Sequence, residues 1–307
     1  MGTPDFAVGI LDTIYQNNYE IVGVITAPDK PAGRGQKVST SAVKEYAVSK
    51  NLHLLQPTNL KSEDFLAELK SLNANLHVVV AFRMLPEVVW KMPKLGTFNL
   101  HASLLPEYRG AAPINWAIIN GETKTGVTTF FIDDKIDTGA MIMSKELVIG
   151  AEESAGELHD RLMHLGSEAV VATLELIETG KATTTIQTED SGIKTAYKLN
   201  KENCKIDWNQ SGEMIFNQIR GLSPYPAAWT ILKDGDNEWN VKIYAARFEA
   251  KEHSEPLGKI LATKKELYIA TKDGQLKIDS LQFPGKKRML AQELLNGITF
   301  SENAIAL

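Results

Sequence analysis

The spacing of hydrophobic positions changes about two-thirds of the way along the chain. In the first part, short apolar runs alternate with stretches of helical periodicity, and the run HVVVAF at 77–82 is continuously apolar. Such a run is typical of a strand covered on both faces, as in a parallel sheet. The alternation predicts an α/β fold with an open, mostly parallel, doubly wound sheet. After residue 206, short strand-like runs separated by turns such as KDGDN and KDGQ predict a small β-barrel.

The pattern places individual elements in the first part. We predict strands at 21–26, 52–56, 76–81, 97–101, 126–132 and 140–149, and helices at 41–49, 62–72 and 113–120. Ser154 and Glu157 form a capping box that opens a longer helix ending near Gly180. The first helical pattern begins at residue 3. A doubly wound sheet normally starts with a strand, and the pattern shows no such strand before Gly2.

A polar, Thr-rich stretch at 181–205 separates the two patterns and predicts a linker. We therefore expect a first domain over residues 1–195, a linker over 196–203 and a second domain over 204–307.

Composition narrows the class of protein. The chain of 307 residues is 43% hydrophobic and 23% charged, which is ordinary for a globular protein, and it has no apolar run of membrane-spanning length and no signal-peptide pattern. A single cysteine, Cys204, excludes an internal disulfide and a cysteine-rich zinc site. We expect a cytoplasmic protein that does not bind membranes. The negative net charge of −5 comes from the first two-thirds of the chain. A polyanion would therefore bind the C-terminal part more easily.

Three polar side chains could carry chemistry. Asn99 and His101 project from the same face of a predicted strand near its C-terminal end, where open α/β sheets bind ligands. Asp137 follows the next strand. Alone, His101 could be a buried histidine and Asp137 a turn residue. If the strands are neighbours, all three converge on one cleft and suit acyl transfer to an amine. Asn99 and His101 would stabilise the oxyanion, and the carboxylate would orient the imidazole or help remove the amine proton.

Competing chemistries lack their motifs. There is no G-x-S-x-G elbow, so Ser103 is a weak candidate nucleophile. There is no G-x-G-x-x-G and no P-loop, which argues against dinucleotide or ATP use. The six histidines show no H-x-x-x-H or Cys/His spacing, so we expect no metal site.

Basic residues form separate groups. The loop APDKPAGRGQKV at 27–38 carries Lys30, Arg34 and Lys37, and is either an exposed loop with solvating charges or a mobile finger for a phosphate backbone. The second domain carries two basic clusters, Lys264-Lys265 and Lys286-Lys287-Arg288.

Taken together, six segments resemble the methionyl-tRNA formyltransferase family over nearly the whole chain: GTPDFAV, PAGRG, NLHASLLPEYRGAAPI, IDTG, IDW and RGLSPYPAAW. HxSLLP with D-x-G is shared by folate-dependent formyltransferases, whereas PAGRG, RGAAPI and the second domain narrow the resemblance to the tRNA family. The resemblance implies a formyltransferase fold followed by an OB-like barrel. It also implies transfer of a formyl group from 10-formyltetrahydrofolate to initiator methionyl-tRNA for translation initiation. We expect a monomer.

The resemblance also implies roles for single residues. Asn99, His101 and Asp137 match the catalytic Asn, His and Asp of the family, and Arg34 matches the arginine of its tRNA-sensing loop. The implied folate-binding residues are Ser103, Leu104, Leu105 and Pro106, together with Arg83, Met84 and Leu85 near the expected pterin pocket. Phe82-Arg83 stands where relatives commonly carry Tyr-Gly. Together with the basic residues of the loop and of the two clusters, the candidate tRNA-binding residues are Lys30, Arg34, Lys37, Lys264, Lys265, Lys286, Lys287 and Arg288.

Two other functions stay open. The protein could formylate a small amine such as a nucleotide sugar or ribonucleotide, although PAGRG and the extra barrel argue against this. It could also be a catalytically silent RNA-binding protein, against which the intact Asn99, His101 and Asp137 argue.

Overall fold

A computed structural model describes residues 1–32, 37–188 and 191–307. The helices are α1 (Asp5–Gln16), α2 (Ala42–Ser49), α3 (Glu63–Ser71), α4 (Glu87–Trp90), α5 (Pro113–Ile119), α6 (Ala155–Glu178), α7 (Gly212–Leu222) and α8 (Ala291–Leu295). The strands up to residue 150 are β1 (Val24–Ile25), β2 (Lys30–Ala32), β3 (Lys37–Ser39), β4 (Leu54–Leu55), β5 (His77–Val80), β6 (Thr97–His101), β7 (Arg109–Gly110), β8 (Lys124–Phe131) and β9 (Met141–Val148). The later strands are β10 (Thr195–Ala196), β11 (Ala228–Asp234), β12 (Asn237–Ala250), β13 (Ile260–Ala262), β14 (Leu267–Thr271), β15 (Gly274–Gln282), β16 (Met289–Leu290) and β17 (Ile305–Ala306).

The chain divides into two compact units. The first comprises residues 1–110, 125–147 and 159–195, and the second comprises residues 111–124, 148–158 and 196–307.

The first unit contains the predicted α/β sheet. β1 and β4 are a parallel pair, β5 and β6 are a second parallel pair, and the order continues through β8 to β9. Residues 1 and 2 lie between β1 and β5: the Gly2 N–H donates to the Ile25 carbonyl at 3.0 Å, and the Met1 carbonyl accepts from the Val80 N–H at 2.9 Å. The position of the expected leading strand is thus filled by these two residues. β8 runs antiparallel to β6, which bears on the site described below.

Helices cover the sheet because each has one apolar face. α3 and α4 pack on β1, β4 and β5 through a cluster of buried side chains, namely Ile25, Leu55, Leu60, Phe65, Leu69, Val79, Leu85 and Val89. The N-terminus of α6 carries the predicted capping box: the backbone N–H of Ser154 donates to Glu157 Oε2 at 2.9 Å, and the Glu157 N–H donates to Ser154 Oγ at 3.3 Å. These bonds satisfy backbone donors that a helix start leaves unpaired.

The second unit is a barrel-like antiparallel sheet in the order β13-β14-β15-β12-β11-β17. The two terminal strands approach each other, because Lys259 and Ile305 form an antiparallel bridge and the Ile260 N–H donates to the Ala304 carbonyl at 3.1 Å. α7 buries Ile215, Ile219 and Leu222 in the core of this unit. The prediction of a small OB-like barrel is confirmed.

Part of the stretch predicted to be a linker is bound to the first unit. Thr185 exchanges two backbone hydrogen bonds with Met141 of β9, at 2.9 and 2.8 Å. The Tyr108 N–H donates to the Lys194 carbonyl at 2.7 Å. The Thr-rich composition predicted a linker without tertiary contacts, but these backbone hydrogen bonds between distant residues attach it to the first unit.

Candidate active site

His101 ends β6 and is buried, with 6% of its surface exposed. Its Nε2 lies 2.8 Å from the backbone carbonyl oxygen of Tyr108. Because a carbonyl can only accept, Nε2 carries the hydrogen and donates it. Nδ1 is therefore the nitrogen through which the ring can exchange a proton with other groups, and it lies 3.8 Å from Asp137 Oδ2.

Asp137 reaches His101 through a loop. Because β8 is antiparallel to β6, Phe131 at the end of β8 pairs with Phe98 near the start of β6, whereas His101 at the end of β6 pairs with Thr128. The shared strand end assumed from the sequence is therefore wrong. The loop after β8 carries Asp137 back, and its Oδ2 accepts a hydrogen bond from the Gly110 N–H at 2.9 Å. His101 and Asp137 are brought together even so.

Asn99 lies in the middle of β6, between Val79 of β5 and Phe130 of β8. It shares a strand face with His101, since alternate residues of a strand point the same way. Its Oδ1 is buried and has no hydrogen-bond partner within the described chain. A buried amide oxygen without a partner is costly, so this acceptor is available to an N–H or O–H donor of a bound substrate.

The loop after His101 is held by its own hydrogen bonds. Ser103 Oγ donates to the Glu107 carbonyl at 2.7 Å, and Thr128 Oγ1 donates to the Ser103 carbonyl at 2.8 Å and accepts from the Leu105 N–H at 3.1 Å. Ser103 and Leu105 are buried, and Leu104 and Pro106 are half-buried. The Ser103 hydroxyl is thus engaged in shaping the loop, which makes it a poor nucleophile here.

The other folate-binding candidates differ in exposure. Arg83 Nη1 donates to the Thr58 carbonyl at 3.0 Å, and Nη2 donates to the Pro57 carbonyl. Met84 is exposed and Leu85 is buried.

The predicted tRNA-binding residues fall in several places. Lys30 is exposed at the start of β2, which pairs antiparallel with β3, where Lys37 lies. Arg34 lies outside the described residues. Lys264 and Lys265 are exposed in the turn between β13 and β14, and Lys286, Lys287 and Arg288 are exposed in the turn between β15 and β16.

Both turns lie at one end of the second unit's sheet. The first residue of β14, Leu267, pairs with Ile278 in the antiparallel strand β15, which then runs on to Gln282. The turn before β14 and the turn after β15 therefore project in the same direction. Arg288 is fixed in part, since its Nε donates to Ser280 Oγ at 2.9 Å and its guanidinium lies 4.7 Å from the centre of the Tyr244 ring.

Sequence reasoning missed the residues that hold the pair in place. The Tyr108 carbonyl and the Gly110 N–H are backbone groups with no sequence signal of their own. Gln187 lies in the stretch predicted to be a linker, yet it is buried and its side chain bonds to the Asp137 loop. In the described part of the chain, no three metal-ligating side chains come together, and no helix is long and apolar enough to cross a membrane.

Comparisons with known proteins show the family to which the chain is similar. Residues 1–174 match the model of the family described as "Formyl transferase", and residues 198–299 match "Formyl transferase, C-terminal domain". A protein of Flavobacterium johnsoniae named methionyl-tRNA formyltransferase is 70% identical over 99% of this chain and 96% of its own. One of Flavobacterium psychrophilum with the same name is 67% identical over 99% and 97%.

A solved structure shares the fold. The N-formyltransferase of Helicobacter canadensis, in complex with folinic acid and dTDP-3-aminofucose, superposes with a TM-score of 0.65 at 22% identity, covering 90% of this chain and 96% of its own. At that identity the likeness supports the architecture alone.

Proposed function

This chain belongs to the formyl transferase family, and from that premise we propose that it moves the formyl group of 10-formyltetrahydrofolate to the α-amino group of initiator methionyl-tRNA, for translation initiation. The names of its relatives support the substrate, since proteins 70% and 67% identical over almost the whole chain are methionyl-tRNA formyltransferases. The single structural observation that carries the proposal is the His101–Asp137 pair, with Asn99 on the same strand face.

The chemistry follows from what each group can do. The methionine nitrogen attacks the formyl carbon, the bond from that carbon to N10 of the folate breaks, the amine loses a proton and N10 gains one. Asn99, through its Nδ2 donor, and His101, through Nδ1 once that nitrogen carries a proton, stabilise the oxyanion that forms on the formyl oxygen. His101 acts through Nδ1, because Nε2–H is committed to the Tyr108 carbonyl. Asp137, whose Oδ2 lies 3.8 Å from Nδ1, orients the ring or takes the amine proton.

The folate would be bound by the first domain. We propose Ser103, Leu104, Leu105 and Pro106 as the loop that shapes its site, with Arg83, Met84 and Leu85 nearby. Ser103 and Leu105 act through the loop conformation, because the Ser103 hydroxyl is used internally. The proposed reaction uses no metal.

The protein would bind the tRNA through the phosphate backbone of the nucleic acid. Lys264, Lys265, Lys286, Lys287 and Arg288 place positive charge at one end of the barrel-like sheet, and phosphate contacts of this kind supply sequence-independent affinity. Lys30, Arg34 and Lys37 would engage the acceptor end near the reacting amine. In this assignment residues 1–195 are catalytic, 204–307 bind tRNA and 196–203 join them, in a cytoplasmic monomer.

One assay tests the proposal. Purified protein is incubated with 10-formyltetrahydrofolate and, in separate reactions, with charged initiator methionyl-tRNA, uncharged initiator tRNA, and a nucleotide amino sugar. We expect formyl-methionine only in the first reaction. Formylation of the amino sugar alone would support the small-amine alternative. Tight tRNA binding without transfer to any amine would support the silent RNA-binding alternative.

A further inference from the structure

The side chain of Gln187 uses its whole hydrogen-bonding capacity at the edge of the candidate site. Its Oε1 accepts from Arg109 Nε at 3.1 Å and from Arg109 Nη2 at 2.8 Å. Its Nε2 donates to the carbonyl oxygens of Asp137 at 2.9 Å and Gly139 at 2.8 Å. The guanidinium can only donate and the carbonyls can only accept, so the partners fix which end of the amide faces which group.

This arrangement holds the loop that carries Asp137. Asp137 has a φ of 55°, in the left-handed region that a residue other than glycine rarely adopts. Its backbone carbonyl is bound by Gln187, and its side-chain Oδ2 is bound by the Gly110 N–H. Two anchors on opposite sides of one residue keep the carboxylate near His101 Nδ1, despite the unfavourable backbone conformation.

The stretch that carries Gln187 is itself anchored to the first unit. Thr185, two residues earlier, is paired with Met141 of β9, and the Lys194 carbonyl accepts from the Tyr108 N–H. The Tyr108 carbonyl in turn accepts from His101 Nε2. Contacts from this one stretch therefore reach both members of the His101–Asp137 pair, by separate routes.

We infer that Gln187 is a positioning residue for formyl transfer and that it acts through Asp137. The two hydrogen bonds that its Nε2 donates, to the Asp137 and Gly139 carbonyls, hold the carboxylate where the reaction needs it. This rests on the proposed function. The physical reason is that a small displacement of a reacting group costs much rate: an error of about 1 Å can cost on the order of a hundredfold. Gln187 does not touch the substrate in this role, so its loss should lower kcat and leave the KM values nearly unchanged.

Two substitutions separate the two ends of the amide. Gln187→Glu keeps an acceptor for Arg109 but places an oxygen against the two carbonyls. Gln187→Met removes both ends at similar volume. We expect each variant to lose roughly ten- to hundredfold in kcat, with KM for folate and tRNA within about threefold of the unsubstituted protein. Thr188→Ala, at the adjacent exposed residue, is the matched control and should change neither constant.

Hydrogen exchange measured by mass spectrometry gives a readout that needs no activity. Peptides spanning residues 132–140 should exchange faster in both Gln187 variants and at the original rate in Thr188→Ala. A double-mutant cycle with Asp137→Asn should show that the losses in kcat do not add, since Gln187 acts through that carboxylate. Additive losses would overturn the inference, as would wild-type kcat in a folded Gln187→Glu protein or a defect confined to Gln187→Met.

The design also separates two kinds of failure. If the unsubstituted protein does not formylate methionyl-tRNA, the proposed function fails, whereas the exchange of residues 132–140 still reports whether Gln187 holds the loop. If Gln187→Met does not fold, Gln187→Glu and Gln187→Asn, whose amide is one methylene short of the loop, carry the test. Unchanged exchange in the folded variants would contradict the role of Gln187 even in an active enzyme.

Discussion

Asp137 Oδ2 lies 3.8 Å from His101 Nδ1, and the opposite nitrogen of the same ring is bound to the Tyr108 carbonyl at 2.8 Å. The imidazole is thus held between a backbone oxygen and a carboxylate in a buried position. One ring nitrogen is fixed as a donor and the other faces the acidic side chain. This arrangement limits the proton chemistry of His101 to a single atom, Nδ1.

Removing any member of the proposed catalytic trio should abolish most turnover. His101→Ala, Asn99→Ala and Asp137→Asn should each lower kcat by roughly a hundredfold or more, because each removes an oxyanion donor or an acid–base group. His164→Gln and Asp134→Asn change exposed residues of the same types and should be neutral. Turnover is measured on methionyl-tRNA and folding is checked by circular dichroism. A folded His101→Ala protein with near wild-type turnover would refute the assignment.

The two lysine pairs of the second unit should control tRNA affinity. Replacing Lys264, Lys265, Lys286 and Lys287 with Ala should weaken binding, and the slope of log K against log salt should fall by about 0.7–0.9 for each phosphate that the protein no longer neutralises. Arg288 is left in place, because it also bonds to Ser280 and stacks on Tyr244. Turnover at saturating tRNA should be preserved.

The control replaces Lys61 and Lys94, which are exposed in the first unit, with Ala. Filter-binding titrations at several salt concentrations measure both sets. An unchanged salt slope in the fourfold variant would mean that these lysines do not bind phosphate.

Arg34→Ala should separate tRNA use from folate binding. Because the proposed task of Arg34 is to position the acceptor end, we expect a lower transfer rate at saturating tRNA and an unaltered Kd for the folate. The two quantities are measured by single-turnover formylation and by fluorescence titration. Equal impairment of both would place the loop at residues 27–38 in the folate site.

His77 should make the protein less stable in acid. Burial lowers its pKa to about 4, with a further lowering from the nearby N-terminal amino group, against an ordinary value of 6.5. The unfolded chain therefore binds an extra proton between these two values, so the free energy of unfolding falls as the pH drops from 6.5 to 4, by roughly 3 kcal/mol.

His77→Gln cannot titrate and should lose less stability over that interval, although its stability at pH 7 can differ. His164→Gln, at an exposed histidine, should follow the unsubstituted protein. Urea unfolding at a series of pH values measures the effect. Parallel curves for His77→Gln and the unsubstituted protein would show that His77 is not the responsible group.

Gly139→Ala should damage both stability and turnover. A Cβ at this position would lie 1.7 Å from the Phe131 carbonyl oxygen, so the backbone of the Asp137 loop must shift. We expect a loss of about 1–3 kcal/mol in unfolding free energy, together with lower kcat. Gly297→Ala is the control, since its nearest neighbour would be the Leu294 carbonyl oxygen at 3.9 Å. A melting temperature unchanged by Gly139→Ala would contradict this account.

The sequence by itself determined the local elements and the types of residue in the site. β6 spans residues 97–101 as predicted, because its apolar pattern is enough to define a buried strand. The capping box at Ser154 and Glu157 also forms as predicted, since its partners are three residues apart. Asn99, His101 and Asp137 stood out because an amide, an imidazole and a carboxylate suit one reaction. The strand and the capping box depend on short-range spacing, and the three side chains on residue type, both of which a sequence displays directly.

The tertiary structure alone decided how those residues meet. The antiparallel pairing of β8 with β6 sends Asp137 to the site through a loop, whereas the sequence pattern alone implies a shared strand end. The Tyr108 carbonyl leaves Nδ1 as the His101 nitrogen that faces Asp137, and the Asp137 carbonyl is bound by Gln187, fifty residues later in the chain. Strand direction and backbone hydrogen bonds between distant segments leave no periodic pattern in a sequence, because any residue supplies the same carbonyl and N–H.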